Sequence, residues 1–184
     1  MIFKAVDIED VDKIRKWRNN SKQNMMLRTP FLLTREMQED FYESKISNRN
    51  SNCRFWSIWK KENNLKSTLI GMAGLENIQW ENRLAEISII TDPKHVFSLK
   101  DIVAKLIELA FNQLNLKSVF TEVYGCSPYR SIWKECADVF GAFESEIPFR
   151  KFYGGQYYNS IIYTFVLKEV TDGNSSSESP SELN

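Results

Sequence analysis

The stretch Arg83-Leu-Ala-Glu-Ile-Ser-Ile-Ile-Thr91, followed by Asp92-Pro93, decides the fold. It is mostly apolar, as expected of a central strand buried on both faces, and Pro93, with no N–H to donate, ends it. Ile102, Leu106, Ala110 and Leu114 then recur four apart, which predicts a helix from about Ser98 to Leu114 with one buried face. Ser118 to Tyr124 reads as a strand. Strand, helix and strand in that order predict a right-handed crossover with its strands parallel or nearly so.

Upstream, Ile2-Phe-Lys-Ala-Val6 reads as a short strand. Asp7 is placed to cap a helix from Ile8 to Trp17, with Ile8, Val11, Ile14 and Trp17 as its buried stripe and Asn19-Asn20-Ser21 as its end. Thr34 reads as the cap of a second helix to about Ser47 that buries Met37, Phe41 and Ile46. Arg54–Lys60 and Thr68–Gly74 are strands, joined by a turn beginning Glu62-Asn-Asn-Leu65. Downstream, Pro128 opens a helix ending near Val139, with Gly141 just beyond. A strand from Phe143, the turn Gly154-Gly155 and a strand from Tyr157 to Leu167 complete the series. The order β-α-α-β-β-β-α-β-α-β-β predicts an α/β domain with a mixed, largely antiparallel central sheet flanked by helices, over residues 1–168. Residues from about 169 to 184 are rich in Ser, Glu and Pro and read as a disordered tail.

Composition narrows the function. With 184 residues and 42% hydrophobic side chains the chain can bury a core, so general disorder is excluded. Lys plus Arg and Asp plus Glu number 24 each, so the net charge is zero and a nucleic-acid partner is not expected. Cys53, Cys126 and Cys136 lack the spacing of a disulfide framework or metal knuckle. The start, Met1-Ile-Phe-Lys-Ala-Val-Asp7, breaks into charge by its fourth residue, and no apolar run is long enough to span a bilayer. The expectation is a cytoplasmic protein with no metal and no membrane partner.

Four stretches, in order, resemble the GNAT superfamily of acyl-CoA-dependent N-acetyltransferases, nearest its ribosomal-protein N-terminal and amino-sugar branch. They are Trp17-Arg-Asn-Asn20, Leu69-Ile-Gly-Met-Ala-Gly-Leu75, Ala85-Glu-Ile-Ser-Ile-Ile-Thr-Asp-Pro93 and Ala110 to Tyr124. The resemblance implies acetyl-CoA as cosubstrate and a primary amine of a small molecule or peptide N-terminus as acceptor. There are two departures. The family's glycine-bearing pyrophosphate loop, which lets backbone N–H groups close on phosphate, is here Asp92-Pro-Lys-His-Val-Phe-Ser-Leu-Lys-Asp101, without glycine. Trp133 stands where the family often has a tyrosine to protonate the leaving thiolate, and an indole is no acid; Tyr129, one turn away, is the substitute.

The implied donor site comprises Ile89, Ile90, Thr91, Lys94, His95, Val96, Phe97, Ser98, Leu99, Ser127 and Trp133. Glu86 is the candidate base if desolvated, with pairing to a nearby Arg such as Arg83 or Arg18 as the alternative. Glu76 is a second candidate, Tyr129 the candidate acid, and Glu122 a group that orients its neighbours. Arg18, Asn19, Arg28 and Trp80 are assigned to the acceptor. Arg15, Arg18, Arg28 and Arg35 read either as forks for an anionic acceptor or as a solvated basic face. The missing glycines leave a second function open: a GNAT-fold binding or assembly module without acetyl transfer. A homodimer through the last strand is an arrangement this fold allows.

Overall fold

The computed structural model describes residues 1–62 and 66–167, so the expected tail lies outside the described residues, as does most of the turn after Glu62. Seven strands form one sheet in the order β1-β2-β3-β4-β5-β7-β6. They are β1 (Ile2–Lys4), β2 (Arg54–Lys61), β3 (Ser67–Gln79), β4 (Leu84–Thr91), β5 (Ser118–Tyr124), β6 (Phe143–Tyr153) and β7 (Gln156–Val166). All neighbours are antiparallel except β4 and β5, the parallel pair expected of the crossover.

The helices are α1 (Val11–Arg18), α2 (Ser21–Asn24), α3 (Arg35–Phe41), α4 (Leu99–Asn112) and α5 (Arg130–Phe140). The first three depart from expectation. Ile8–Asp10 is a 3-10 turn leading into α1, Asp7 makes no side-chain cap, and Ile8 is exposed, so the buried stripe is Val11, Ile14 and Trp17 alone. Asn20 does not simply end α1: its carboxamide accepts the Lys22 N–H at 3.1 Å and starts α2, a helix absent from the expected order. Thr34 caps α3 as read, but the helix loosens into a π turn over Tyr42–Ile46, and Gln38 rather than Met37 is its buried residue.

Period two along the strands divides the core. Ala73 and Leu75 of β3, Ala85 and Ile87 of β4, and Val119 and Val123 of β5 face α4 and α5, where Ile102, Leu106 and Ala110 are fully buried. Met72 and Ile90 face the opposite side, against Ile14 and Trp17 of α1. The glycines of the third strand serve packing. A Cβ on Gly74 would stand 2.4 Å from the Phe55 ring and 2.6 Å from the Arg54 carbonyl oxygen.

Two irregularities open the sheet on one side. Registered pairing of β4 with β5 runs only through Leu84↔Ser118, Ala85↔Val119 and Glu86↔Phe120. Beyond it, β5 stays with β7 as far as Tyr124↔Ser160 while β4 stays with β3, so a wedge opens between their C-terminal halves. The second irregularity lies in β6, where Pro148 offers no N–H and Phe149 takes a positive φ of 52°. Register slips there between Ile147 and Lys151, and the bulge turns Arg150 and Lys151 toward the wedge.

Candidate active site

The wedge deepens into a cleft of about 600 Å³ between the sheet, α1 and the chain leading to α3. Its floor carries three carboxylates, one from each of three adjacent strands: Glu76 of β3, Glu86 of β4 and Glu122 of β5. Glu76 and Glu86 are direct partners across the β3–β4 ladder. Just past Glu76 a bulge puts Asn77 at a φ of 51°, and its carboxamide donates to Glu86 at 3.3 Å.

Arg28, from the chain between α2 and α3, donates to Glu86 at 2.6 Å and reaches Glu122 at 3.5 Å. Glu122 also accepts from Arg150 Nε at 2.9 Å and from the Ser160 hydroxyl at 2.8 Å. Burial would raise the Glu122 pKa, but the Ser160 and Arg150 hydrogen bonds outweigh it and hold the carboxyl below its usual range. For Arg28 burial acts downward, and the bond to Glu86 more than reverses it, so the guanidinium stays charged. Glu76 differs: burial, with the charge of Glu86 adding to it, pushes its pKa up against a hydrogen bond from Ser88. The expected free base Glu86 is thus ion-paired, and its partner is Arg28; Arg83 instead binds the Asn115 carbonyl at 2.7 Å. Of the three floor carboxyls, Glu76 is the one without an ion-pair partner among the described residues.

Other expected residues divide in the same way. Arg18, Ile89, Ile90, Thr91, Val96, Leu99, Ser127, Tyr129 and Trp133 line the cleft. Asn19, Trp80, Lys94, His95, Phe97 and Ser98 do not. Asn19 holds the chain before α3, exchanging two hydrogen bonds with the Leu33 backbone at 2.8 and 2.9 Å. Trp80 lies under the Arg54 guanidinium, 5.7 Å from its carbon, and Phe97 points into solvent. Tyr124, Arg150 and Lys151 were not foreseen, and Glu122 was not assigned to the site. Alternation along β5 puts Phe120, Glu122 and Tyr124 on the Glu86 face, a signal the sequence does contain. The β6 residues arrive through a bulge that breaks such counting.

Pro93–Ser98 fold as a 3-10 segment. The Asp92 carboxylate accepts the Lys94 N–H at 2.9 Å and the Asp92 carbonyl accepts the His95 N–H at 2.8 Å. Two donors that a glycine loop would turn to phosphate are therefore spent internally. The His95 ring faces Asp92, with Nδ1 4.0 Å from its carboxylate. The residues still fit acetyl-CoA. The β4 edge from Ile87 to Thr91 makes no registered pair on its β5 side, and Val96, Leu99 and Trp133 give apolar walls.

A sheet split at its one parallel pair, with a polar floor and a helix starting at the split, defines an acyl-transferase fold of the GNAT type. The family model described as "Acetyltransferase (GNAT) domain" matches residues 1–125, and the chain belongs to that family: it is an N-acetyltransferase with acetyl-CoA as donor. Solved structures agree on the fold. The spermidine N-acetyltransferase of Vibrio cholerae in complex with CoA and spermine superposes with a TM-score of 0.74 at 22% identity, over 90% of this chain and 94% of that one. A dodecameric form of the enzyme from the same organism gives 0.69 at 21%, over 90% and 92%. No curated protein sequence matches the chain. Among the described residues no helix is long and apolar enough to cross a membrane.

Proposed function

We propose that the chain acetylates the primary amine of a small molecule by direct attack, with Glu76 as proton acceptor and Tyr129 as proton donor. Acetyl-CoA supplies an activated acyl group: the C–N bond forms as the C–S bond breaks. The observation that carries the reading is a half-buried carboxyl whose pKa desolvation raises, Glu76, in a cleft that opens where β4 and β5 part. An acceptor arrives as an ammonium and must lose a proton, and a carboxyl tuned upward is matched to that task. N–H groups along the unpaired edge of β4 supply fixed donors for the charge developing on the acyl oxygen. Glu86 and Glu122, locked by Arg28 and Arg150, position the floor.

Cys53, Cys126 and Cys136 are free thiols, which fits a cytoplasmic setting. The last strand, β7, is paired on both sides, by β5 and β6, so the expected dimer edge passes to β6; the β6–β7 hairpin exposes Phe149, Phe152 and Tyr157, which supports assembly with a second copy. One observation favours the other reading, a binding or assembly module: the 3-10 segment Pro93–Ser98 consumes donors that would hold pyrophosphate. Calorimetric titration with acetyl-CoA, followed by thiol release on an amine panel, separates the two. Micromolar binding with turnover that Glu76→Gln abolishes supports transfer. No binding at millimolar concentration leaves the binding module.

A further inference from the structure

Four arginines surround the first helices, and three of them are taken. Arg15 donates to Asp12 at 2.7 and 3.0 Å and to the Leu33 carbonyl at 3.3 Å. Arg35 donates to Glu39 at 2.7 Å. Arg28 is held by Glu86 and Glu122. Arg18, the last residue of α1, lines the cleft and makes no hydrogen bond or ion pair with any described residue. Its Nη1 is sealed from solvent with no partner, and its guanidinium packs 5.6 Å from the centre of the Phe31 ring.

A guanidinium nitrogen without water or acceptor is a standing loss that an oxyanion in the cleft would reverse. Arg18 ends α1 beside Phe31 and Glu76, on a different element from the first turn of α4, which the family resemblance assigns to the donor's phosphates. The floor also disfavours a polycation, because Glu86 and Glu122 are already neutralised by Arg28 and Arg150, which leaves Glu76 as the single uncommitted carboxyl among the three. On the floor one free carboxyl stands beside one free guanidinium, with Asp40 of α3 the other carboxylate lining the cleft, and that pairing suits a ligand that carries both signs.

We propose that Arg18 reads an oxyanion on the acceptor, so that the substrate is a small amine also bearing a carboxylate or a phosphate, its nitrogen directed to Glu76. This rests on the N-acetyltransferase reading above, and the test keeps the two apart. The full chain is titrated calorimetrically, with no donor present, with 4-aminobutyrate, 2-aminoethylphosphate, 1,4-diaminobutane and butylamine; acetyl-CoA is titrated separately. The two oxyanion-bearing amines are expected to bind at least about tenfold more tightly than the other two, the size of one charge-assisted hydrogen bond. The preferred member of that pair tells carboxylate from phosphate. Arg18→Gln should remove the preference and leave butylamine within about threefold, while Arg18→Lys, which keeps charge but not the fork, should retain part of it. The wild-type panel decides even if a variant fails to fold.

Tighter binding of diaminobutane, equal weakening of butylamine by Arg18→Gln, or no binding of any of the four overturns the role of Arg18. Absence of acetyl-CoA binding alongside a clear oxyanion preference overturns transfer and leaves that role standing.

Discussion

Glu76 and Glu86 stand directly opposite each other across β3 and β4, on the face that floors the cleft. Like charges in that relation repel, and the structure resolves the conflict unequally. Arg28 takes Glu86 at 2.6 Å, while Glu76 is left half-buried, with desolvation raising its pKa. The two neighbouring carboxyls thereby differ in surroundings: one is held in an ion pair with Arg28, and the other makes no ion pair among the described residues.

Glu76→Gln should lower acetyl transfer by about 10²–10⁴-fold, the usual weight of a positioned general base. It should also stabilise the fold at neutral pH. A carboxyl whose folded pKa is raised binds its proton more tightly in the folded than in the unfolded chain. Stability therefore falls as pH rises from the ordinary carboxylate range through the raised value. The glutamine variant escapes that loss, so it should melt higher than wild type at pH 8, with the gap closing toward about pH 4. A variant that melts lower at pH 8 would show that Glu76 is not strained in the folded state.

The Arg28–Glu122–Arg150 bridge predicts the opposite pH dependence. Glu122 has a lowered pKa, so its stabilisation is present above the ordinary carboxylate range and is lost as pH falls through the depressed value. Glu122→Gln should cost about 2 kcal/mol at pH 7, since it removes two charge-assisted bonds at a buried position. It should also flatten the acid limb of the stability profile. Urea melts between pH 3 and 7 test both, and an unchanged acid limb would remove Glu122 from the role.

The sheet and its helices were legible because they rest on periodicity. Ile102, Leu106 and Ala110 at spacing four, and the apolar run ending at Pro93, act locally and survive into the structure. Much of the site was not legible, because it depends on pairings distant in sequence. Nothing near Glu86 announces Arg28, which lies 58 residues upstream, or Arg150, delivered to Glu122 by a bulge at Pro148-Phe149. Asn19 and Trp80, expected at the acceptor, stand outside the cleft lining for a related reason. Both are polar-tipped, but one finds a backbone partner at Leu33 and the other a guanidinium at Arg54.

Gly74→Ala tests whether the glycines of the third strand serve packing rather than ligand contact. The new methyl would sit 2.4 Å from the Phe55 ring and 2.6 Å from a backbone oxygen that cannot rotate away. Overpacking of this kind costs about 1–3 kcal/mol. The variant should unfold at lower urea concentration with acetyl-CoA affinity per folded molecule unchanged. Normal stability with lost affinity would move Gly74 from the core to the donor site.

Protonation of the leaving thiolate gives the last prediction, because two tyrosines and a tryptophan line the cleft. Tyr124 is committed: its hydroxyl lies 3.4 Å from Glu122, and burial raises its pKa. Trp133 has no acidic proton to give. Tyr129 sits at the N-terminal boundary of α5, lines the cleft, and has a hydroxyl without a partner among the described residues. Tyr129→Phe should therefore lower kcat by about 10–10²-fold with little change in acceptor KM, and the loss should shrink with a donor whose thiol is more acidic. Tyr124→Phe should instead disturb Glu122 and lower stability first. If Tyr129→Phe turns over at the wild-type rate, the thiolate leaves without help from this side chain, and the substitution of Trp133 for the family's tyrosine has no compensation in α5.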